Sequence, residues 1–131
     1  MKDILIIIID SHLELADPPI PNFLKDRLNL SEESFLVLPV EKAFTIFKGK
    51  EKPVMAKNLL IFVSTFYGNK IETIRFSRMV KDENTNAKVI ARSELSIKDR
   101  IFDGYIEKNR SKDREFLNTI ALFIHKSKTQ A

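Results

Sequence analysis

The chain has 131 residues, 22 of them basic and 18 acidic, for a net charge of +4, and it contains no cysteine. That length suits one folded domain over residues 1–131, burying roughly two-thirds of its unfolded surface, and the lack of cysteine excludes disulfide scaffolds, thiolate metal sites and cysteine nucleophiles. The charge surplus is small and interleaved, so it permits nucleic-acid binding without implying it.

Six consecutive apolar residues, Ile4 to Ile9, open the chain and are followed at once by Asp10. The run is far short of the roughly 20 residues that cross a bilayer, and it lacks the length and small-residue cleavage site of a secretory signal. It therefore reads as a strand covered on both faces in a parallel sheet, in a chain expected to be cytoplasmic. Asp17, Pro18 and Pro19 then interrupt the chain. A short helix through Phe23, Leu24 and Leu28 is expected next, with Pro21 and Asn22 near its start.

Phe35 to Val40 reads as a second strand, and Glu41 to Lys48 as a helix through Ala43, Phe44 and Phe47, with Gly49 as a stop. After the basic KGKEKP stretch, Leu59 to Val63 forms a third strand that breaks at Ser64 and Thr65. Ile71, Ile74 and Met79 suit a helix before the turn-like DENTN, and Val89 to Ala91 supplies a fourth strand. Ser96 is placed to cap a short helix over IKDRIF, and Tyr105 and Ile106 form a fifth strand ending near Lys108. The last helix is the clearest: Phe116, Leu117, Ile120, Phe123 and Ile124 make an apolar stripe. Ser111 can cap it, Asp113 and Glu115 suit its first turn, and Lys126 and Lys128 suit its last.

Strands alternating with helices predict an α/β fold, a flavodoxin-like (βα)5 three-layer sandwich around a five-stranded parallel sheet. Such sheets bind ligands beyond the carboxyl ends of their strands, where strand order reverses. The candidate site is thus built from strand ends: Asp10, Ser64, Ser93 and Lys108.

Those strand ends, in that order, resemble the receiver domain of two-component response regulators, the CheY-like family of signal transduction. The most specific part is GYIEKN at Gly104 to Asn109, similar to the family's aromatic, two apolar positions, lysine and proline, with Asn109 for the proline and Glu107 for one apolar position. VIARS, Val89 to Ser93, resembles its fourth strand ending in Ser or Thr. The resemblance implies an aspartate that accepts phosphate, acidic residues that hold a divalent cation, a hydroxyl and a lysine. Ser93 and Lys108 match the last two roles, whereas Ser64 stands where the acceptor is expected and Asp10 is followed by Ser11 and His12 instead of a second acid. Mg²⁺ prefers several hard oxygen ligands in octahedral geometry, so these losses weaken a cation site.

The resemblance therefore implies a pseudo-receiver, a non-enzymatic protein-interaction module without the aspartyl-phosphate switch and without a cofactor. Tyr105 matches the aromatic that changes rotamer when ordinary receivers are activated, and it is read as an interface residue. In receivers the face of the fourth helix, fifth strand and fifth helix mediates dimerisation or docking. Here it carries Lys98, Arg100, Arg110, Lys112 and Arg114 beside Asp99 and Glu107, which suits an acidic or mixed-charge signalling partner, or a second copy. Phe66 and Tyr67 follow the third strand and can occlude the site or anchor a partner.

Competing readings fare less well. Asp10, His12 and Glu14 alternate as metal ligands can, yet a solvated strand end explains them, and only Asp10 is kept as a weak candidate. His125 suits a helix C-terminus, and no spacing recommends a triad of His12 with Ser64 or Ser93. The three glycines stand alone at Gly49, Gly68 and Gly104, which disfavours a phosphate loop and a nucleotide cofactor. No aromatic RNA-binding motif accompanies the basic residues, which disfavours nucleic acid. Two rivals remain open: a phosphorylatable stand-alone regulator with a displaced alignment at Ser64, and a small flavodoxin-like enzyme or nucleotide-binding protein using the same crevice.

Overall fold

The computed structural model describes residues 2–10, 34–48, 56–64, 69–84, 86–93, 99–107 and 113–129. These form strands β1 (Lys2–Ile9), β2 (Phe35–Leu38), β3 (Ala56–Val63), β4 (Lys88–Ser93) and β5 (Gly104–Glu107), with helices α1 (Val40–Lys48), α2 (Lys70–Glu83) and α3 (Asp113–Thr129). The expected helix through Phe23, Leu24 and Leu28, the KGKEKP stretch after Lys48, and the caps Ser96 and Ser111 lie outside the described residues.

All strand pairs are parallel, in the order β2-β1-β3-β4-β5. The order reverses between β1 and β3, because β2 lies on one side of β1 and the other three strands lie on the opposite side. Pleating then divides the apolar residues between two layers. Leu5, Ile7, Ile9, Leu59, Ile61, Val63, Val89 and Ala91 pack with Ala43 and Phe47 of α1 and Phe76 and Val80 of α2. Ile6, Ile8, Leu60, Phe62, Ile90 and Ile106 pack with Phe116 and Ile120 of α3. This double cover is why β1 is apolar at every position from Ile4 to Ile9.

Several local features depart from the sequence expectation, each for a physical reason. β2 ends at Leu38, not Val40, since Pro39 has no N–H to donate and the helix begins at Val40. In α2 the face toward the sheet is Thr73, Phe76, Ser77 and Val80, while Ile71 is 76% exposed. The hydroxyls can be buried because the helix satisfies them: Thr73 Oγ1 donates to Asn69 O at 3.0 Å and Ser77 Oγ to Thr73 O at 2.8 Å. Asn69 caps this helix, its side chain accepting from Glu72 N at 3.1 Å. Phe76 meets Phe44 and Phe47 in T-shaped pairs, with ring centroids 5.2 Å apart in each, which joins α1 to α2.

The helix expected over IKDRIF is a turn where it is described, at Asp99 to Phe102. Asp99 Oδ1 accepts from Ile101 N at 2.9 Å, a local bond that competes with the helical ladder. Asp103 then ties β4 to β5. Its N–H donates to Val89 O at 2.8 Å, its carboxylate accepts from Val89 N at 2.8 Å, and Lys81 of α2 lies 2.8 Å from the same oxygen. Gly104 follows, where a Cβ would lie 3.2 Å from Ile90 Cδ1, a close approach at the tip of that side chain. Among the described residues no helix is long and apolar enough to cross a membrane.

Candidate functional site

The carboxyl ends of β1 and β3 flank the point where strand order reverses, the place where open α/β sheets form their crevice. Ile9 pairs with Val63, Val63 with Ala91, and Arg92 with Ile106. The ladder continues past β1 and β3, with Ser64 N donating to Ile9 O at 3.2 Å and Asp10 N to Leu38 O at 3.0 Å. Asp10, Ser64 and Arg92 therefore stand side by side on three neighbouring strands. They fall on the pleat of Ile8, Phe62 and Ile90, the pleat that meets α3.

Asp10 is 2% exposed and Ser64 is buried as well. Arg92 reaches across the β3 position held by Ser64, and its Nη1 lies 3.4 Å from Asp10 Oδ2, with 11% of the arginine side chain exposed. The distance is at the long end for a hydrogen bond, so the contact is chiefly one of charge. On its other side the guanidinium carbon lies 4.7 Å from the Phe116 ring centroid, the geometry of a cation–π contact. Phe116 in turn meets Phe62 edge to face at 4.7 Å. One arginine thus links the ends of β1 and β4 to the first turns of α3.

Arg92 was not among the site residues expected from sequence, although a signal for it was present. A guanidinium inside an otherwise apolar buried strand needs a charged partner, since arginine is almost never fully buried alone. Ser93 is one residue farther along β4, paired with Glu107, and only its backbone is described. Lys108, Phe66, Tyr67, Lys98 and Arg110 lie outside the described residues, so their expected convergence on Ser64 or on the docking face does too. Arg100 is exposed in the turn before β5. Tyr105 is 46% exposed, packs at 5.9 Å on Phe102, and its hydroxyl both accepts from Asp99 N and donates to Asp99 O, each at 2.9 Å.

A divalent cation of the kind receivers hold does not fit the described end of the crevice. Asp10 contributes one carboxylate already faced by a guanidinium, its β3 neighbour is a serine, and Mg²⁺ asks for several oxygen ligands. No group of three or more His, Cys, Asp or Glu suited to a metal occurs among the described residues.

No protein-family model and no curated protein sequence matches the chain. Its fold is nevertheless that of response-regulator receiver domains. The response regulator TrrA from Thermotoga maritima, solved in complex with Mg²⁺ and BeF, is similar with a TM-score of 0.57 and 20% identity, over 94% of this chain and 99% of that one. A LuxR-family DNA-binding response regulator from Silicibacter pomeroyi is similar with a TM-score of 0.61 and 15% identity, over 94% and 93%. Another response regulator from Thermotoga maritima gives 0.55 and 23%, over 93% and 98%.

Proposed function

We propose that the chain is a signalling module of receiver fold that works by docking a protein partner, without catalysis and without taking up a phosphoryl group at the end of β3. The observation that carries this reading is the row Asp10, Ser64 and Arg92. Where a receiver needs a nucleophilic carboxylate beside a cation-binding acid, β3 ends in a hydroxyl, which cannot form an acyl phosphate. The remaining acid is held by a protein cation 3.4 Å away.

Docking then falls to the surface beside β5 and α3. Leu122 is 54% exposed and Tyr105 46%, Glu107 of β5 and Arg114 of α3 are exposed, and Arg100 is exposed in the turn before β5. Apolar anchors among interleaved charges suit a partner of acidic or mixed charge in the cytoplasm, a second copy of the chain being the alternative occupant. Ser93 and Lys108 remain in this reading as retained pieces of architecture, with Phe66, Tyr67, Lys98 and Arg110 as candidates for the docking surface.

The test is intact-mass measurement after incubation with acetyl phosphate and Mg²⁺. The expected result is an unmodified chain. A stable gain of one phosphoryl group, mapped to an aspartate, overturns the reading in favour of a phosphorylatable regulator.

A further inference from the structure

We propose that the outer face of α2 is a homodimer interface: two copies of the chain pack α2 against α2, antiparallel about a twofold axis, with the arginines of one helix meeting the acids of the other. This helix covers the face of the sheet opposite α3. The surface is therefore distinct from the one proposed for docking, and the inference does not depend on that reading.

α2 buries Thr73, Phe76, Ser77 and Val80 against the sheet. On its opposite side Ile71, Arg75, Arg78 and Asp82 recur at the spacing of a single helical stripe. Ile71 is 76% exposed, the most exposed large hydrophobic among the described residues. Ile74 and Met79 flank the stripe and are half-buried. These side chains border an open depression of about 680 Å³ on the outside of the helix. Apolar groups set among charges have the make-up of an interface, with an apolar centre and a polar rim.

The charges determine what fits there. Both arginines precede the last turn of α2, and the acids Asp82 and Glu83 lie in it. That order runs against the helix dipole, which favours acids in the first turn and bases in the last. Arg75 has Glu72 at 3.5 Å, but the contact is exposed and contributes little. A ligand of one sign would be attracted at one end of the stripe and repelled at the other, whereas a second copy turned end for end matches both ends. Such self-complementarity is what a twofold interface requires. With the axis near Arg78 and Met79, Arg75 of each copy stands opposite Asp82 of the other, and the Arg78 stem lies along Met79. The acids of each helix then face the N-terminal half of the other, and the arginines approach its last turn, as the two dipoles favour. A helix of 14 residues offers a face about 21 Å long and about 10 Å wide. That is smaller than the roughly 800 Å² per partner of a standard interface, so the dimer should be weak and concentration-dependent.

The experiment is sedimentation velocity on the full chain, from low micromolar to submillimolar concentration. It compares the wild type, Arg75→Glu/Arg78→Glu, Asp82→Lys/Glu83→Lys, an equimolar mixture of these two variants, and one chain carrying all four substitutions. The wild type should show a reversible monomer–dimer equilibrium. Each double variant presents like charges to its own copy and should associate about tenfold more weakly, or less. The mixture and the fourfold variant should recover association, because opposite charges again face each other. All four positions are exposed, so the substitutions should leave the thermal melt by circular dichroism nearly unchanged.

A wild type that stays monomeric throughout overturns the proposal. So does a dimer that survives both double variants, since it must then form on another surface, such as β5 and α3. Double variants that remain monomeric when mixed also overturn it. If a double variant does not fold, the fourfold variant decides: a monomeric fourfold variant beside a dimeric wild type sinks the charge pairing. The acetyl phosphate experiment bears on the docking reading alone and leaves these outcomes as they are.

Discussion

Replacing Phe116 with leucine separates what the ring does from what its apolar surface does. The side chain is buried between Phe62 and Arg92, 4.7 Å from each. Leucine keeps most of the apolar burial but has no quadrupole. The edge-to-face pair with Phe62 is worth about 0.5–1.5 kcal/mol, and the contact with a largely desolvated guanidinium is worth about 2 kcal/mol. Phe116→Leu should therefore destabilise by about 3 kcal/mol. Ile120→Val, one turn along the same buried stripe, changes only packing and should cost about 1 kcal/mol. With a urea m-value of about 1–3 kcal/mol/M, the Phe116→Leu midpoint should fall by about 1–3 M, about three times the fall for Ile120→Val. Circular dichroism is the natural probe, since the chain has no tryptophan. A cycle with Arg92→Met should return a coupling of about 1–2 kcal/mol between ring and guanidinium. Equal midpoints for Phe116→Leu and Ile120→Val, or a coupling of zero, would refute the claim that the ring acts on the cation.

Two further substitutions test how the sheet and α2 are held. Asp103→Ala should cost about 2 kcal/mol and speed hydrogen exchange at the Val89 amide, because that N–H loses a charged acceptor at 2.8 Å. Asp103→Asn keeps an acceptor and gives up only the partly exposed pair with Lys81, so it should cost less than about 1 kcal/mol. In α2, Asn69→Ala should lower stability by about 1 kcal/mol in the same urea assay, while Asn69→Asp should stay within a few tenths.

The fold was largely legible because its determinants are local in sequence. An apolar β1 immediately followed by an acid, and strands spaced by helical stretches, lead to a parallel sheet without knowledge of any long-range contact. The face of α2 was less legible. Ile71, Ile74 and Met79 pointed to the helix without fixing its buried face: Ile71 is exposed, whereas Thr73 and Ser77 are buried, because hydroxyls that donate into their own helix are not polar toward the sheet. Hydropathy assigns each residue a fixed preference and misses that cancellation. The turn at Asp99 was hidden for a related reason, as one carboxylate-to-amide bond diverts a segment whose apolar spacing suits a helix.

At the candidate site, sequence pointed to the strand ends Asp10 and Ser64, and the register sets these side by side at the reversal of strand order. It did not point to Arg92, whose contact spans 82 positions of chain. Only the parallel register reveals that a residue one before the end of β4 shares a row with the ends of β1 and β3. A charged residue inside VIARS announces that a partner exists, but it does not say which acid across the sheet will serve.

The clasp between Tyr105 and Asp99 has a spectroscopic consequence. The chain holds two tyrosines and no tryptophan, so no indole drains the excitation of a phenol ring, and Tyr67→Phe would leave Tyr105 as the single emitter. Its hydroxyl is engaged twice by one backbone unit while the ring stands half in solvent. A molecule seated on β5 must either cover that ring or pull its hydroxyl away from Asp99, and both alter the emission. The surface proposed for docking thus carries an intrinsic, label-free fluorophore.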